Sequence, residues 1–190
     1  TLKNIIEEIL HYTSNIIIIN DGSTDDSETI LSAYPHLITL NYSQNVGKGW
    51  ALRKGFELAI QYDYDYAITI DSDGQHFPSD LPLFLDKLNS ISPCLIIGSR
   101  NMNQSTVPGK SNFGNKFSNF WFLVETGINL TDTQSGFRLY PVKELSSMKF
   151  FTKKYEFEIE VIVRAAWKGI HITSVPISVY YAPKEIRVSH

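Results

Sequence analysis

Two carboxylates one residue apart, Asp71 and Asp73, follow directly on the apolar, β-branched run Tyr66-Ala67-Ile68-Thr69-Ile70. The stretch Asp71-Ser72-Asp73-Gly74-Gln75-His76 therefore reads as a polar turn at the end of a short strand. Hard oxygen donors in that arrangement suit Mg²⁺ or Mn²⁺, ions that commonly keep coordination positions open for substrate phosphates. Ligands of open α/β sheets bind at the carboxyl ends of strands, so the place agrees with the chemistry. Asp-x-Asp turns also occur as ordinary loop structure, and the rest of the chain has to decide between the two. Spacing excludes a calcium loop of the EF-hand type. That loop wants Gly at its sixth position and Glu at its twelfth; counting from Asp71 gives His76 and Pro82, and counting from Asp21 gives Asp26 and Ser32.

Three further polar stretches stand at element ends: Asn20-Asp21-Gly22-Ser23, Gly47-Lys48-Gly49 and Asp132-Thr133-Gln134-Ser135-Gly136-Phe137-Arg138. Asp21 can meet a ligand, form an Asx turn or cap a helix. Lys48, between glycines at a helix start, puts a cation beside backbone N–H groups that receive phosphate, or is a surface lysine. Arg100, closing Gly98-Ser99-Arg100, and Arg138 can fork onto phosphate oxygens as lysine cannot, or pair with carboxylates. Ser135 can add a hydroxyl donor. Asp132 can serve as a base toward a hydroxyl acceptor or orient Arg138. Glu156, Glu160 and Arg164, at i, i+4 and i+8, suit an exposed salt-bridged helix face.

The elements that must position these residues alternate. Leu2, Ile5, Ile6, Ile9 and Leu10 mark an amphipathic helix, and Ile16 to Ile19 a buried strand. Ser23 or Asp25 is expected to start a helix, with Asp26 or Glu28 completing a capping box. Strands are expected at 37–42, 66–70 and 94–98, with helices from Trp50 to Gln61 and after Ser79, where Pro82 is tolerated in the first turn. Residues 100–115 are polar and Gly/Asn-rich, the composition of a loop, and aromatic residues then concentrate at Phe113, Phe117, Phe120, Trp121 and Phe122. A strand at 136–140, a helix at 156–168 and an extended segment at 170–181 broken by Pro176 complete the reading. Such alternation predicts an α/β fold with a mostly parallel sheet and helices on both faces.

One domain is the natural size for 190 residues, and 43% apolar residues supply a substantial core. The net charge of −3 argues against a broad nucleic-acid surface. A lone cysteine, Cys94, opens an apolar run and reads as a buried strand residue; no intrachain disulfide is possible, which suits a reducing compartment. The sequons at Asn41, Asn103 and Asn129 read as chance. The longest unbroken apolar run, 120–124, is far too short to span a bilayer. A start at Thr1, almost directly in a helix, and an end just after a strand lead us to expect a soluble catalytic core, residues 1–190, cut from something longer.

The four stretches, in order and spacing, resemble the family 2 glycosyltransferases of GT-A fold, and within them the polyprenyl-phosphate sugar synthases, the dolichyl-phosphate mannose and glucose synthase group. The motifs are Asp-Gly-Ser-x-Asp from Asp21, Asp-x-Asp-x-Gln-His-x-Pro from Asp71, Gly-Ser-Arg ending at Arg100, Gly-Phe-Arg-Leu-Tyr from Gly136 and Phe-x-x-Glu from Phe157. The resemblance implies an inverting hexosyltransferase, with a UDP- or GDP-sugar donor and a polyprenyl phosphate acceptor, working at the cytoplasmic face of a membrane. It implies Mg²⁺ or Mn²⁺ held by Asp71, Asp73 and Gln75, with His76 as a supporting neighbour. Asp21, Lys48, Ser72 and Arg100 would complete the nucleotide-sugar site, Ser135 and Arg138 would take the acceptor phosphate, and Asp132, Arg138 and Arg100 would act in transfer. It singles out Glu160 for a supporting role and places the family's first strand before Thr1. Lys110, Lys116 and the aromatic cluster mix charge with apolar bulk, suiting a lipid interface, or the rings pack on the sheet. A saccharide hydroxyl acceptor, or nucleotide binding without turnover, are the other readings of the same motifs.

Overall fold

The computed structural model describes residues 1–88, 93–101 and 109–181. In chain order it contains α1 (Leu2–Leu10), β1 (Ile17–Asp21), α2 (Ser27–Ser32), β2 (Ile38–Tyr42), α3 (Lys48–Gln61), β3 (Tyr66–Thr69), a 3₁₀ turn (Pro78–Asp80) and α4 (Leu81–Leu88). There follow β4 (Cys94–Arg100), α5 (Gly109–Thr126), β5 (Arg138–Pro141), α6 (Val142–Ser146), α7 (Glu156–Trp167) and β6 (His171–Ile177). Among the described residues no helix is long and apolar enough to cross a membrane.

The strands form two sheets. β1 and β2 pair in parallel, Ile17 opposite Ile38 and Asp21 opposite Tyr42. The second sheet has the order β3-β5-β4-β6. In it β4 and β6 are parallel, while β5 runs antiparallel to both β3 and β4. The α/β class is as expected, but this sheet is more mixed than the alternation predicts. Periodicity reports which side of a strand is buried and carries nothing about its direction.

Both faces of the second sheet are covered, and β4 displays it residue by residue. Leu95 and Ile97 join a core with Phe56 of α3 and Phe157, Val161 and Ile162 of α7. Cys94 and Ile96 point the other way, into a core with Leu81 and Phe84 of α4. Alternate residues thus leave opposite faces, as the pleat requires, and each buried aliphatic side chain contributes about 1.5–3 kcal/mol. Pro176 does not break β6. It sits opposite Ser99 on a strand at the sheet's edge, where a missing N–H is tolerated.

Helix starts differ from expectation in instructive ways. No capping box forms at α2; Asp25 Oδ1 instead accepts the N–H of Ser27 at 3.0 Å, and the helix opens there. α3 begins at Lys48, two residues early, because Gly47 adopts φ 120°, which only glycine takes readily. α4 is preceded by a 3₁₀ turn led by Pro78. Of the polar stretch expected to be a loop, 102–108 lies outside the described residues, and its end is already helix α5.

Candidate active site

The carboxyl ends of β1, β3 and β4 carry Asp21, Asp71 and Arg100, and three loops bring the remaining groups to them. Lys48, the first residue of α3, reaches Asp71 Oδ2 at 2.8 Å and Glu158 Oε2 of α7 at 3.1 Å. Burial works against the lysine charge, but Asp71 and Glu158 outweigh it and hold the ammonium protonated above its ordinary range. Gly136 closes the wall behind this group: a Cβ there would lie 2.5 Å from Asp71 Oδ2 and 2.7 Å from Lys48 Nζ. Only glycine permits that approach.

Arg100 and Asp132 form a second unit. The guanidinium grips the carboxylate with two bonds, Nε to Oδ2 at 2.6 Å and Nη2 to Oδ1 at 3.0 Å. The backbone N–H groups of Arg100 and Gln134 also donate to Asp132, each at 3.1 Å. Asp132 is buried and its acceptor capacity is largely used. Burial opposes the Arg100 charge, and the Asp132 carboxylate overcomes it and raises its pKa further. The aspartate thus orients Arg100, where the sequence had offered Arg138 as its partner.

Arg138 and Ser135 require correction. Arg138 has no exposed surface. Its Nε donates to the Ser135 carbonyl at 2.5 Å, Nη1 to the Glu158 carbonyl at 2.6 Å and Nη2 to the Thr133 carbonyl at 2.9 Å. Three carbonyls converge on the one guanidinium, which is thus a buried brace joining the 133–135 loop to α7. It is not placed to meet an acceptor phosphate. Ser135 is buried as well, and its hydroxyl faces the N–H of Phe137 at 3.4 Å.

Asp21 braces a loop: its two oxygens accept the N–H groups of Val46 at 2.9 Å and Gly47 at 2.8 Å. This is neither an Asx turn nor a cap of its own segment but a long-range brace, and it fixes the entry to α3. In the acidic turn, Ser72, Asp73 and Gln75 are exposed and Asp71 is partly so. Asp73 Oδ1 accepts the Gln75 N–H at 2.9 Å, closing the turn on itself. Among the described residues no three His, Cys, Asp or Glu side chains gather as a metal-binding group. Two carboxylates, Asp73 exposed and Asp71 partly exposed beside Lys48, and an amide oxygen are a partial set of hard donors, which fits an ion that completes its sphere with phosphate and water.

The segment after β6 crosses this turn. Val179 pairs with His76, the Tyr180 N–H donates to the Gln75 carbonyl at 2.8 Å, and the Ser178 N–H to Asp80 at 2.6 Å. His76 is buried beneath it, its ring 5.5 Å from that of Phe137, and its Nδ1 has no hydrogen-bond partner. Burial holds its pKa below the ordinary histidine range, the Asp71 charge opposing.

On α7 it is Glu158, not the Glu160 that the resemblance singled out, that reaches the Lys48–Asp71 pair. Glu160 accepts the N–H groups of Phe151 and Thr152 and pairs with Arg164 at 2.7 Å, forming the expected salt-bridged face away from the site. Glu158 faces inward to Lys48. Its signal was present: Glu158, Val161, Ile162 and Ala165 follow the i, i+3, i+4, i+7 spacing of a buried stripe, so a charge stands at a core position.

The aromatic cluster lies on α5 and turns outward. Phe113, Phe117, Phe120, Trp121 and Val124 are exposed, while Phe122 alone of the rings is buried. Inward, Asn119 accepts the Thr133 N–H at 2.9 Å and donates to the Thr131 carbonyl at 2.8 Å, and Ser118 accepts the Thr133 hydroxyl. The polar face of α5 thus holds the loop that carries Asp132. Lys116 is exposed beside the rings; the Lys110 side chain and Asn103 lie outside the described residues.

A UDP-N-acetylglucosamine–dolichyl-phosphate N-acetylglucosaminyltransferase of Methanococcus voltae is 29% identical, over 95% of this chain and 80% of its own length. A dolichyl-phosphate beta-glucosyltransferase of Saccharomyces cerevisiae is 30% identical over 86% of this chain, which spans 56% of that protein. Among solved structures, glucosyl-3-phosphoglycerate synthase from Mycobacterium tuberculosis, in complex with Mn²⁺, UDP and glucosyl-3-phosphoglycerate, gives a TM-score of 0.71 at 18% identity. The likeness covers 97% of this chain and 68% of that one, and it speaks for the fold. The family model described as Glycosyl transferase family 2 matches residues 1–146, and the chain belongs to that family of glycosyltransferases.

Proposed function

We propose that this glycosyltransferase moves a hexose from a UDP- or GDP-sugar to a polyprenyl phosphate of dolichyl or undecaprenyl type, with inversion at the anomeric carbon, at the cytoplasmic face of a membrane. One observation carries the choice of acceptor. Asp132, the carboxylate available as a base for a hydroxyl acceptor, is buried and spent on Arg100. A phosphate acceptor needs no base, because its second pKa lies near 6 and it arrives as an oxyanion. The new bond joins that oxygen to the anomeric carbon while the bond to the nucleoside diphosphate breaks, and no proton has to leave. The names of the relatives from Methanococcus voltae and Saccharomyces cerevisiae, both acting on dolichyl phosphate, support the same acceptor.

Asp71 and Asp73, with the Gln75 amide, would hold Mg²⁺ or Mn²⁺, which when bound neutralises charge on the departing nucleoside diphosphate. Arg100 is set in advance by Asp132, so its guanidinium costs little reorganisation when phosphate arrives. Lys48 brings a second cation. Asp21 shapes the nucleotide side through the 46–47 loop, and Ser72 is exposed within the acidic turn. The outward rings of α5, with Lys116, suit an apolar chain and an anionic surface. The test is transfer of radiolabelled sugar from UDP- and GDP-sugars, with polyprenyl phosphate present. Label in the organic-extractable lipid is expected; label only in a water-soluble saccharide would overturn the acceptor. Asp73→Ala is expected to abolish Mn²⁺-dependent nucleotide binding.

A further inference from the structure

Lys48 stands on the carboxylate that the metal reading requires. Its Nζ is 2.8 Å from Asp71 Oδ2, with the lysine side chain 20% exposed and that of Asp71 37%, so the pair sits at the rim of the site, partly shielded from water. The second partner, Glu158 Oε2, holds the same ammonium at 3.1 Å from a side chain that is 8% exposed. The other oxygen of that carboxylate, Oε1, is buried without a hydrogen-bond partner. Two carboxylates therefore share one cation, and a buried acceptor is left over, which is costly unless a further positive group or donor visits. Arg138 does not fill that need, since its bond is to the Glu158 carbonyl.

We propose that Lys48 is the resident counter-ion of Asp71 in the nucleotide-free protein, and that Glu158 is the positioning residue that keeps it in reach. A divalent cation then takes Asp71 only as Lys48 gives it up and turns to the incoming diphosphate. The inference rests on the assignment of the metal to Asp71 and Asp73. It makes metal and nucleotide binding mutually supportive, because the diphosphate supplies the displaced ammonium with a new anion and each ligand removes a cost from the other. The metal alone binds weakly, since it must evict a charge of its own sign.

The test is Mn²⁺ titration of the whole chain followed by electron paramagnetic resonance, without nucleotide and then with UDP or GDP. Lys48→Met is expected to bind Mn²⁺ alone about tenfold more tightly than the wild type, as removal of one cation from a partly buried site allows. Added nucleotide should strengthen that binding less than it does in the wild type. Glu158→Gln removes the tether on Lys48, so the strengthening of Mn²⁺ binding by nucleotide is expected to shrink toward that of Lys48→Met. Lys48→Arg keeps the charge and should keep the weak binding. Damage to the fold cannot imitate tighter binding, and thermal melts of each variant check it; Lys48→Gln, a milder change, should tighten in the same sense. Unchanged or weaker Mn²⁺ binding in both Lys48→Met and Lys48→Gln, with Asp71→Asn abolishing it, overturns the proposal and leaves the metal assignment standing. Wild-type Mn²⁺ affinity in Asp71→Asn overturns the assignment itself, and the proposal with it.

Discussion

Helices α5 and α7 lie against each other and are built inside out with respect to one another. α7 buries Phe157, Val161, Ile162 and Ala165 completely and turns Glu160 and Arg164 outward. α5 turns Asn115, Ser118 and Asn119 inward and leaves Phe113, Phe117, Phe120, Trp121 and Val124 in the open. An apolar groove of about 300 Å³ runs where they meet, lined by Phe117, Trp121, Phe122, Ile159 and Val163 among others. The difference follows from what each helix covers. α7 lies over sheet strands whose backbone groups are already paired, so apolar packing is the best use of its inner face. α5 lies over the irregular 131–133 loop, whose N–H and C=O groups need partners. The Asn115 and Asn119 amides supply them, and the apolar residues of α5 face outward.

The largest effect should come from cutting the tie between α7 and the loop that α5 holds. Arg138→Met removes the donors of three buried carbonyls and is expected to cost about 3–5 kcal/mol in urea denaturation. Ile162→Ala, on the buried face of α7, should cost about 3 kcal/mol by leaving a cavity. Trp121→Ala, the matching truncation on α5, should stay within about 0.5 kcal/mol. Equal losses at the two positions would remove the contrast.

On the outer face of α7, Glu160→Gln should cost about 2 kcal/mol, since hydrogen bonds to a charged acceptor are lost. Its carboxyl carries a pH signature. Burial alone would raise the pKa, but the Thr152 hydroxyl and N–H, Arg164 and the Phe151 N–H hold it at about 2 against an ordinary 4.5. A depressed folded-state pKa gives stability that is complete above the unfolded value and lost as pH falls. The wild type should therefore lose more stability than Glu160→Gln between pH 4.5 and 2, measured by melting at each pH. The smallest change in stability belongs to the double variant Phe117→Ser with Trp121→Ser. It should melt like the wild type yet no longer sediment with anionic lipid vesicles, and retained sedimentation would place the lipid surface elsewhere.

Much of this was legible from residue order. Ile16 to Ile19, Tyr66 to Ile70 and Cys94 to Gly98 announced strands because apolar, β-branched runs of that length have few other uses, and the acidic turn announced a strand end. The order of motifs was enough to place the chain in its family. The strong misreadings were long-range. Arg138 resembled a phosphate reader because an arginine in a polar loop carries no local sign of being buried. Nothing in Gly-Phe-Arg says that the Thr133, Ser135 and Glu158 carbonyls will converge on it.

The amino-acid sequence by itself determined which segments would be strands or helices and which residue types stood at their ends, because backbone preference and burial periodicity are local properties. The tertiary structure alone decided the direction of β5, the union of Asp132 with Arg100, the face on which Glu158 stands, and the outward turn of the α5 rings. Each of these depends on which distant groups share a small, poorly hydrated space, where unpaired charges and backbone dipoles are expensive. That competition is resolved only when the whole chain has packed.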